Sequence, residues 1–286
     1  MKRFALLLLA LLLAVPAFAE GADAVRVSYL GPEGTYTQEA ALRFFDGGEQ
    51  LEPRETVNDA IADVLSGDAD YAVIPQENTL GGAVVNYVDA LIKAEGVYVV
   101  GEVILPISQT LMGVPGASLS DIKKVYSHAQ GLTQSAEWRR EHLPDAAAEE
   151  AASTAAAASY VAQQQDPALA AIAAPGAAAL YGLEVLAENV QISDANRTRF
   201  YVLSMTPNAE GTRAVFVATC DADRIDDIII ALHDAGLELV SLHDRPEGSK
   251  LGSYHYVIET EDPSGVSQAQ IDAALAFDGV RYVGRF

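Results

Sequence analysis

Asn196-Arg197-Thr198-Arg199-Phe200-Tyr201-Val202-Leu203-Ser204 is a polar cluster that runs straight into an apolar one. Aromatic and branched side chains favour extended backbone, so a strand is expected over Arg199 to Leu203. The cluster before it sets the Thr198 hydroxyl between two guanidiniums at the mouth of a buried element. That arrangement suits a small anionic ligand, since guanidinium groups pair with carboxylates in a fixed geometry. The same residues also fit an ordinary solvated loop ahead of a strand.

Working outward toward the N-terminus, other polar runs fall at the ends of predicted elements. Val25 to Leu30 alternates as a strand, and Gly31-Pro32-Glu33-Gly34 reads as a turn. Thr35 opens a helix, with Gln38 at the capping-box position and Ala40, Ala41, Phe44 and Phe45 on one face. A strand, a glycine turn and a helix start present free backbone N–H groups to an anion. Thr56 to Leu65 repeats apolar residues at helical spacing, with Gly67 as a stop. Tyr71 to Ile74 reads as a strand ended by Pro75, so Gln76-Glu77-Asn78-Thr79 falls at its carboxyl end. In open α/β sheets that edge binds ligands. Gly81-Gly82 leads to a helix from Ala83 to about Ala94. The alternation predicts a parallel sheet flanked by helices.

Val97 to Met112 is extended and broken at Pro106, and it reads as the crossing into a second lobe. There, Ser127-His128 follows a Val125-Tyr126 strand, and a helix over Gln130 to His142 carries Gln134. Ala146 to Ala151 is weakly strand-like, and Ser153-Thr154 caps a helix through Gln164. Leu169 to Ala173 is another strand, followed by a helix from Pro175 to Gly182. The strand at Arg199 returns to the first lobe. This gives an α/β chain with lobe one over about 24–104 and 198–206, lobe two over 105–197, and a cleft between them. Residues 212–286 form a separate βαββαβ unit, the order of a ferredoxin-like sandwich.

The chain of 286 residues is half apolar and carries a formal net charge of −22. Lys2-Arg3, an apolar run over Phe4 to Val15 and Ala17-Phe18-Ala19 read as a secretory signal peptide over residues 1–19. The run is shorter than the roughly 20 residues a membrane span needs. Cleavage would leave 267 residues and, with Lys2 and Arg3 gone, a charge of −24. The expected location is periplasmic or secreted, with no membrane contact after cleavage. So acidic a chain repels nucleic acid, and an anionic substrate must approach against the global field. Cys220 is the single cysteine and has no partner for an internal disulfide, and the five histidines lack zinc-site spacing, so no metal is expected.

Asn-x-Thr-Arg-Phe resembles the signature of prephenate dehydratases, and four more motifs of that family precede it in the same order. They are Gly31-Pro32-Glu33-Gly34-Thr35-Tyr36, Pro75-Gln76-Glu77-Asn78-Thr79, Ser127-His128-Ala129-Gln130 and Ser153-Thr154-Ala155-Ala156. The resemblance implies the bilobed fold of periplasmic solute-binding proteins, with a C-terminal ACT domain. It implies loss of CO2 and water from prephenate to give phenylpyruvate, without a cofactor. It also implies a homodimer or dimer of dimers. Thr198 is then the residue that assists the departing hydroxyl. Asn78, Thr79, Ser127, Gln134, Ser153, Thr154 and Arg199 become substrate-binding candidates, with Glu77 and Thr35 in support. Arg199 fits substrate binding and a bracing ion pair equally, and Ser153 and Thr154 also fit plain helix caps.

Several positions depart from the family pattern. Gln76 stands where an apolar residue is usual, Thr79 replaces Ser, Ala129 replaces Pro, and Gln109 falls about where a His is frequent. Arg245-Pro246 matches only the end of the family's Glu-Ser-Arg-Pro regulatory motif, and Asp223-Arg224-Ile225 stands at its Gly-Ala-Leu turn. Phenylalanine is therefore not expected to inhibit. Arogenate dehydratase and a non-catalytic solute-binding protein for a small acid remain alternative readings.

Overall fold

The computed structural model describes residues 24–45 and 47–286, so the expected signal peptide lies outside the described residues. The first lobe runs β1 (Arg26–Leu30), α1 (Tyr36–Phe45), β2 (Gln50–Arg54), α2 (Val57–Ser66), β3 (Tyr71–Asn78), β4 (Gly82–Ala83), α3 (Val85–Lys93) and β5 (Tyr98–Pro106). The second runs β6 (Thr110–Gly113), β7 (Lys124–Ser127), α4 (Ala129–Gln134), α5 (Ala136–His142), β8 (Ala147–Glu150), α6 (Thr154–Gln164), β9 (Leu169–Ala173), α7 (Gly176–Tyr181) and β10 (Glu184–Ala187). β11 (Arg197–Ser204) then crosses back into the first sheet.

That sheet has the order β2-β1-β3-β11-β5, with β4 paired to β3. β1 and β3 are parallel as expected, and β2, a strand the sequence reading did not include, lies parallel to β1, but β11 is antiparallel to both β3 and β5. The sheet is therefore mixed. The physical reason is the double crossing between lobes: β5 leaves lobe one and β11 re-enters it, so the two connectors lie side by side in opposite directions. The second sheet, β10-β6-β9-β7-β8, is mixed as well.

Pro75 does not end its strand. β3 continues to Asn78, and its register against β11 slips between Phe200↔Pro75 and Arg199↔Glu77, leaving Gln76 without a partner. This bulge is where a proline is tolerated and where an extra polar residue can be stored. The expected helix over Gln130–His142 breaks at Ser135, whose hydroxyl donates back to the Gly131 carbonyl at 2.7 Å. The helix expected from Ala83 begins at Val85, because Gly82–Ala83 pairs back onto Asn78 and Glu77.

The C-terminal region runs β12 (Arg213–Asp221), α8 (Ile225–Asp234), β13 (Glu238–Pro246), β14 (Ser253–Glu261), α9 (Gln268–Leu275) and β15 (Val280–Arg285), in an antiparallel sheet ordered β13-β14-β12-β15. This is the expected βαββαβ order. It is less separate than expected, however. Val215, Val217, Val257 and Val283 belong to the same buried cluster as Ile74, Leu91, Tyr201 and Leu203 of lobe one. One apolar layer, removed from water as a unit, holds this domain against the first lobe.

Candidate active site

A cavity of about 740 Å³ opens between the lobes. β1 and β2 end on it, as does β3, which places the carboxyl ends of parallel strands at the cleft as the α/β rule requires.

Asn78 closes β3 and is the hub of the site. Its Oδ1 accepts from the backbone N–H groups of Leu80 at 3.0 Å and Gly81 at 3.1 Å. A backbone N–H can only donate, so the amide has one possible orientation. Nδ2 therefore faces β11, where it donates to Thr198 Oγ1 at 2.9 Å and to Asn196 Oδ1 at 2.9 Å. Asn196 Nδ2 in turn donates to Gln134 Oε1 at 3.2 Å, and Gln109 Nε2 donates to that same oxygen at 3.2 Å. Each amide fixes the next, so two backbone groups of lobe one set the polarity of a chain that crosses into lobe two. At its far end Gln109 Oε1 is buried and has no partner among the described residues.

Thr198 gains its chemistry from this chain. Its oxygen already accepts from Asn78, and its own O–H is free for a group in the cavity. A threonine oriented this way is a hydrogen-bond donor to its ligand, aimed by a rigid neighbour.

The second lobe contributes a helix start. Ser153 caps α6 through its Oγ, which accepts from the Ala156 N–H at 3.0 Å, and Ser153 and Thr154 both line the cavity. Unpaired N–H groups of the first turn give that wall a positive bias. Arg54 is the one Lys or Arg side chain among the described residues lining the cavity, and its Nε is held by Asp63 at 2.6 Å. Glu55 lines the same wall. The attraction for an anion is thus built mainly from neutral donors, which answers how an acidic chain can hold one. Tyr36 joins the lobes at the cleft floor, its hydroxyl donating to Ser108 O at 2.5 Å. Burial pushes its pKa above the ordinary value.

Thr198, Asn78, Gln134, Ser153 and Thr154 are therefore brought together. The other candidates stand elsewhere. Thr79 Oγ1 is bonded to the Arg197 N–H at 2.8 Å and Arg197 O at 2.9 Å, zipping the end of β3 to β11 outside the cavity. Ser127 is fully buried behind α4 and donates to Ile172 O at 2.6 Å, bracing β7 on β9. Thr35 caps α1, with Gln38 reaching back to the Gly34 N–H at 2.7 Å. Glu77 lies beside Arg199 in the register between β3 and β11, outside the cavity lining. Arg199 points away from the cleft to Glu259 at 2.7 Å, so the bracing ion pair is the reading that stands. Arg245 is taken up by Asp89 of α3 at 2.6 Å, and Pro246 sits on the edge strand β13. Asn196, Arg54 and Gln130, which lines the cavity and donates from its Nε2 to Asn78 Oδ1 at 3.3 Å, were missed. Asn196 and Gln130 lay inside quoted motifs, and Arg54 closes a strand next to a predicted helix start, which is the signal that could have found it.

The family model for prephenate dehydratase matches residues 27–208. The chain belongs to the prephenate dehydratase family. A bifunctional chorismate mutase/prephenate dehydratase of Neisseria gonorrhoeae is 34% identical over 89% of this chain, which spans 71% of that protein. A prephenate dehydratase of Amycolatopsis methanolica is 34% identical over 91% of this chain and 88% of its own length. Among solved structures, prephenate dehydratase from Arthrobacter aurescens in complex with L-Phe covers 91% of this chain and 89% of that one, with TM-score 0.81 and 31% identity. GqqA, described as a novel type of quorum quenching acylase, has TM-score 0.79 at 25% identity over 91% of this chain and 96% of that one. Family membership makes the chain a lyase with a bilobed catalytic region, and the third sheet has the arrangement of an ACT-like domain.

Proposed function

We propose that the cleft catalyses the decarboxylating dehydration of prephenate to phenylpyruvate. The ring C–CO2 bond breaks, its electron pair enters the ring, and the C–OH bond opposite breaks as hydroxide leaves and is protonated to water. The drive is aromatisation, so orientation and charge stabilisation are what the protein must add. The observation that carries this reading is the 2.9 Å bond from Asn78 Nδ2 to Thr198 Oγ1, which leaves the Thr198 O–H to donate to the departing hydroxyl. The α6 start and Arg54 would receive the carboxylates, and Gln134 would offer its Nε2 to the substrate, since all three line the cavity. An acylase would need a base beside the nucleophile. Thr198 has an amide donor instead, which cannot take a proton.

The aminated substrate, arogenate, is favoured by one observation. The buried Gln109 Oε1 lacks a donor, and an ammonium group would supply one. Export through the signal-like residues 1–19 and assembly as a homodimer or dimer of dimers complete the proposal. Incubating the purified mature chain with prephenate and separately with arogenate, and following phenylpyruvate and phenylalanine, tests it. Release of neither product refutes the lyase reading.

A further inference from the structure

We propose that Glu259, on β14 of the C-terminal domain, is a positioning residue for Thr198, so that this domain forms part of the apparatus that sets turnover. The inference rests on the lyase reading of the cleft.

Successive residues of a strand face opposite ways. Thr198 therefore meets the cavity while Arg199, one peptide later, meets the C-terminal sheet. Arg199 Nη1 lies 2.7 Å from Glu259 Oε2, and Tyr201, on the same face of β11, donates its hydroxyl to that oxygen at 2.6 Å. The other oxygen accepts from Arg213 Nη1 at 2.9 Å. Arg213 also holds Glu102 of β5 at 3.0 Å, and Arg199 Nε lies 3.5 Å from Glu102. One carboxylate thus grips the catalytic strand from behind at two points, and its arginine partner grips the neighbouring strand.

Glu259 is fully buried, and a buried carboxylate persists only where donors surround it. Burial holds the Tyr201 pKa far above its ordinary value, so its hydroxyl remains a donor. At Gly284 of β15 an added Cβ would meet the Val99 backbone of β5, so the two backbones are in direct contact. A shift of β11 at Arg199 is transmitted through one peptide to Thr198. Misplacement of a reacting group by about 1 Å costs roughly a hundredfold in rate.

A merely structural ion pair would loosen the domain without choosing Thr198, and a double-mutant cycle separates the two cases. Full-length Glu259→Gln is expected to lower kcat on prephenate by about tenfold or more, with KM and the affinity for phenylpyruvate within about twofold. In a Thr198→Ala background the same change is expected to cost nothing further. Asp89→Asn, which breaks the separate interdomain pair to Arg245, is expected to leave kcat within about twofold. Unchanged kcat in Glu259→Gln, or equal losses in both backgrounds, overturns the proposal. If Glu259→Gln does not fold, Tyr201→Phe removes a single donor and is read by the same cycle and the same criteria. Wild-type protein inert on prephenate would sink the lyase reading and this proposal with it. Active wild type with an indifferent Glu259→Gln would sink the proposal alone.

Discussion

Replacing Asn78 by Asp changes one atom of the hub, reverses the hydrogen bond to Thr198 and removes the donor to Asn196 Oδ1. The retained oxygen still accepts from the Leu80 and Gly81 N–H groups, so the side chain stays in place. The new oxygen stands where Nδ2 now lies 2.9 Å from Thr198 Oγ1. Two oxygens at that distance need a proton between them, and the Thr198 O–H supplies it. The hydroxyl turns away from the substrate, and the transition state loses a donor. Loss of one such donor costs about 3–4 kcal/mol, a fall in kcat of roughly 10²–10³. KM is expected to rise as well, since a negative charge enters a site for an anion. The pH dependence has a definite sign. Protonating the introduced carboxyl restores a donor toward Thr198, so Asn78→Asp should recover as pH falls, with wild type as the reference. Steady-state kinetics of phenylpyruvate formation across pH is the assay. Turnover within about threefold of wild type at neutral pH would refute the claim that Asn78 aims the Thr198 hydroxyl.

Asp89 is held below the usual carboxylate range by its bonds to Arg245, so its share of stability is complete above the unfolded value of about 3.9 and is lost as pH falls through the lower folded value. Thermal melts of Asp89→Asn should show a loss of about 1 kcal/mol at neutral pH that shrinks below about pH 4; a pH-independent difference would contradict the ion pair. Phenylalanine is expected to leave the rate unchanged at micromolar levels, because Asp223 and Arg224 replace the fitted turn and Arg245 is engaged with Asp89; saturable calorimetric binding with inhibition would show otherwise. N-terminal sequencing of exported protein is expected to begin at Glu20; an intact Met1 on a membrane-bound product would make the segment an anchor.

Local signals decided much of the fold. The helix expected over Thr56 to Leu65 is α2, which Thr56 caps by accepting from the Asp59 N–H and which Gly67 ends, as expected, with φ 80°. The βαββαβ order of the C-terminal domain followed from period and turn residues alone. The direction of β11 was not legible, because antiparallel insertion is fixed by two distant connectors lying together rather than by any residue in the strand. The same gap explains the site. Thr198 and Asn78 are 120 positions apart yet paired in register. The motifs named both, but not the hydrogen-bond polarity between them. Ser127 and Thr79 carry the same hydroxyl chemistry as Thr198, and only their placement shows that they bond backbone instead of facing the cavity. Arg199 was open between two roles because strand alternation assigns a face only once the cleft side of β11 is known.

We propose that the Thr198 O–H assists hydroxide loss. The most direct test is kcat on prephenate for wild type, Thr198→Ala and Thr198→Ser, with thermal melts to show that each is folded. Thr198→Ala is expected to lower kcat by about a hundredfold or more with little change in stability, and Thr198→Ser, which keeps the hydroxyl, to retain more activity. Near-wild-type turnover by folded Thr198→Ala would contradict it.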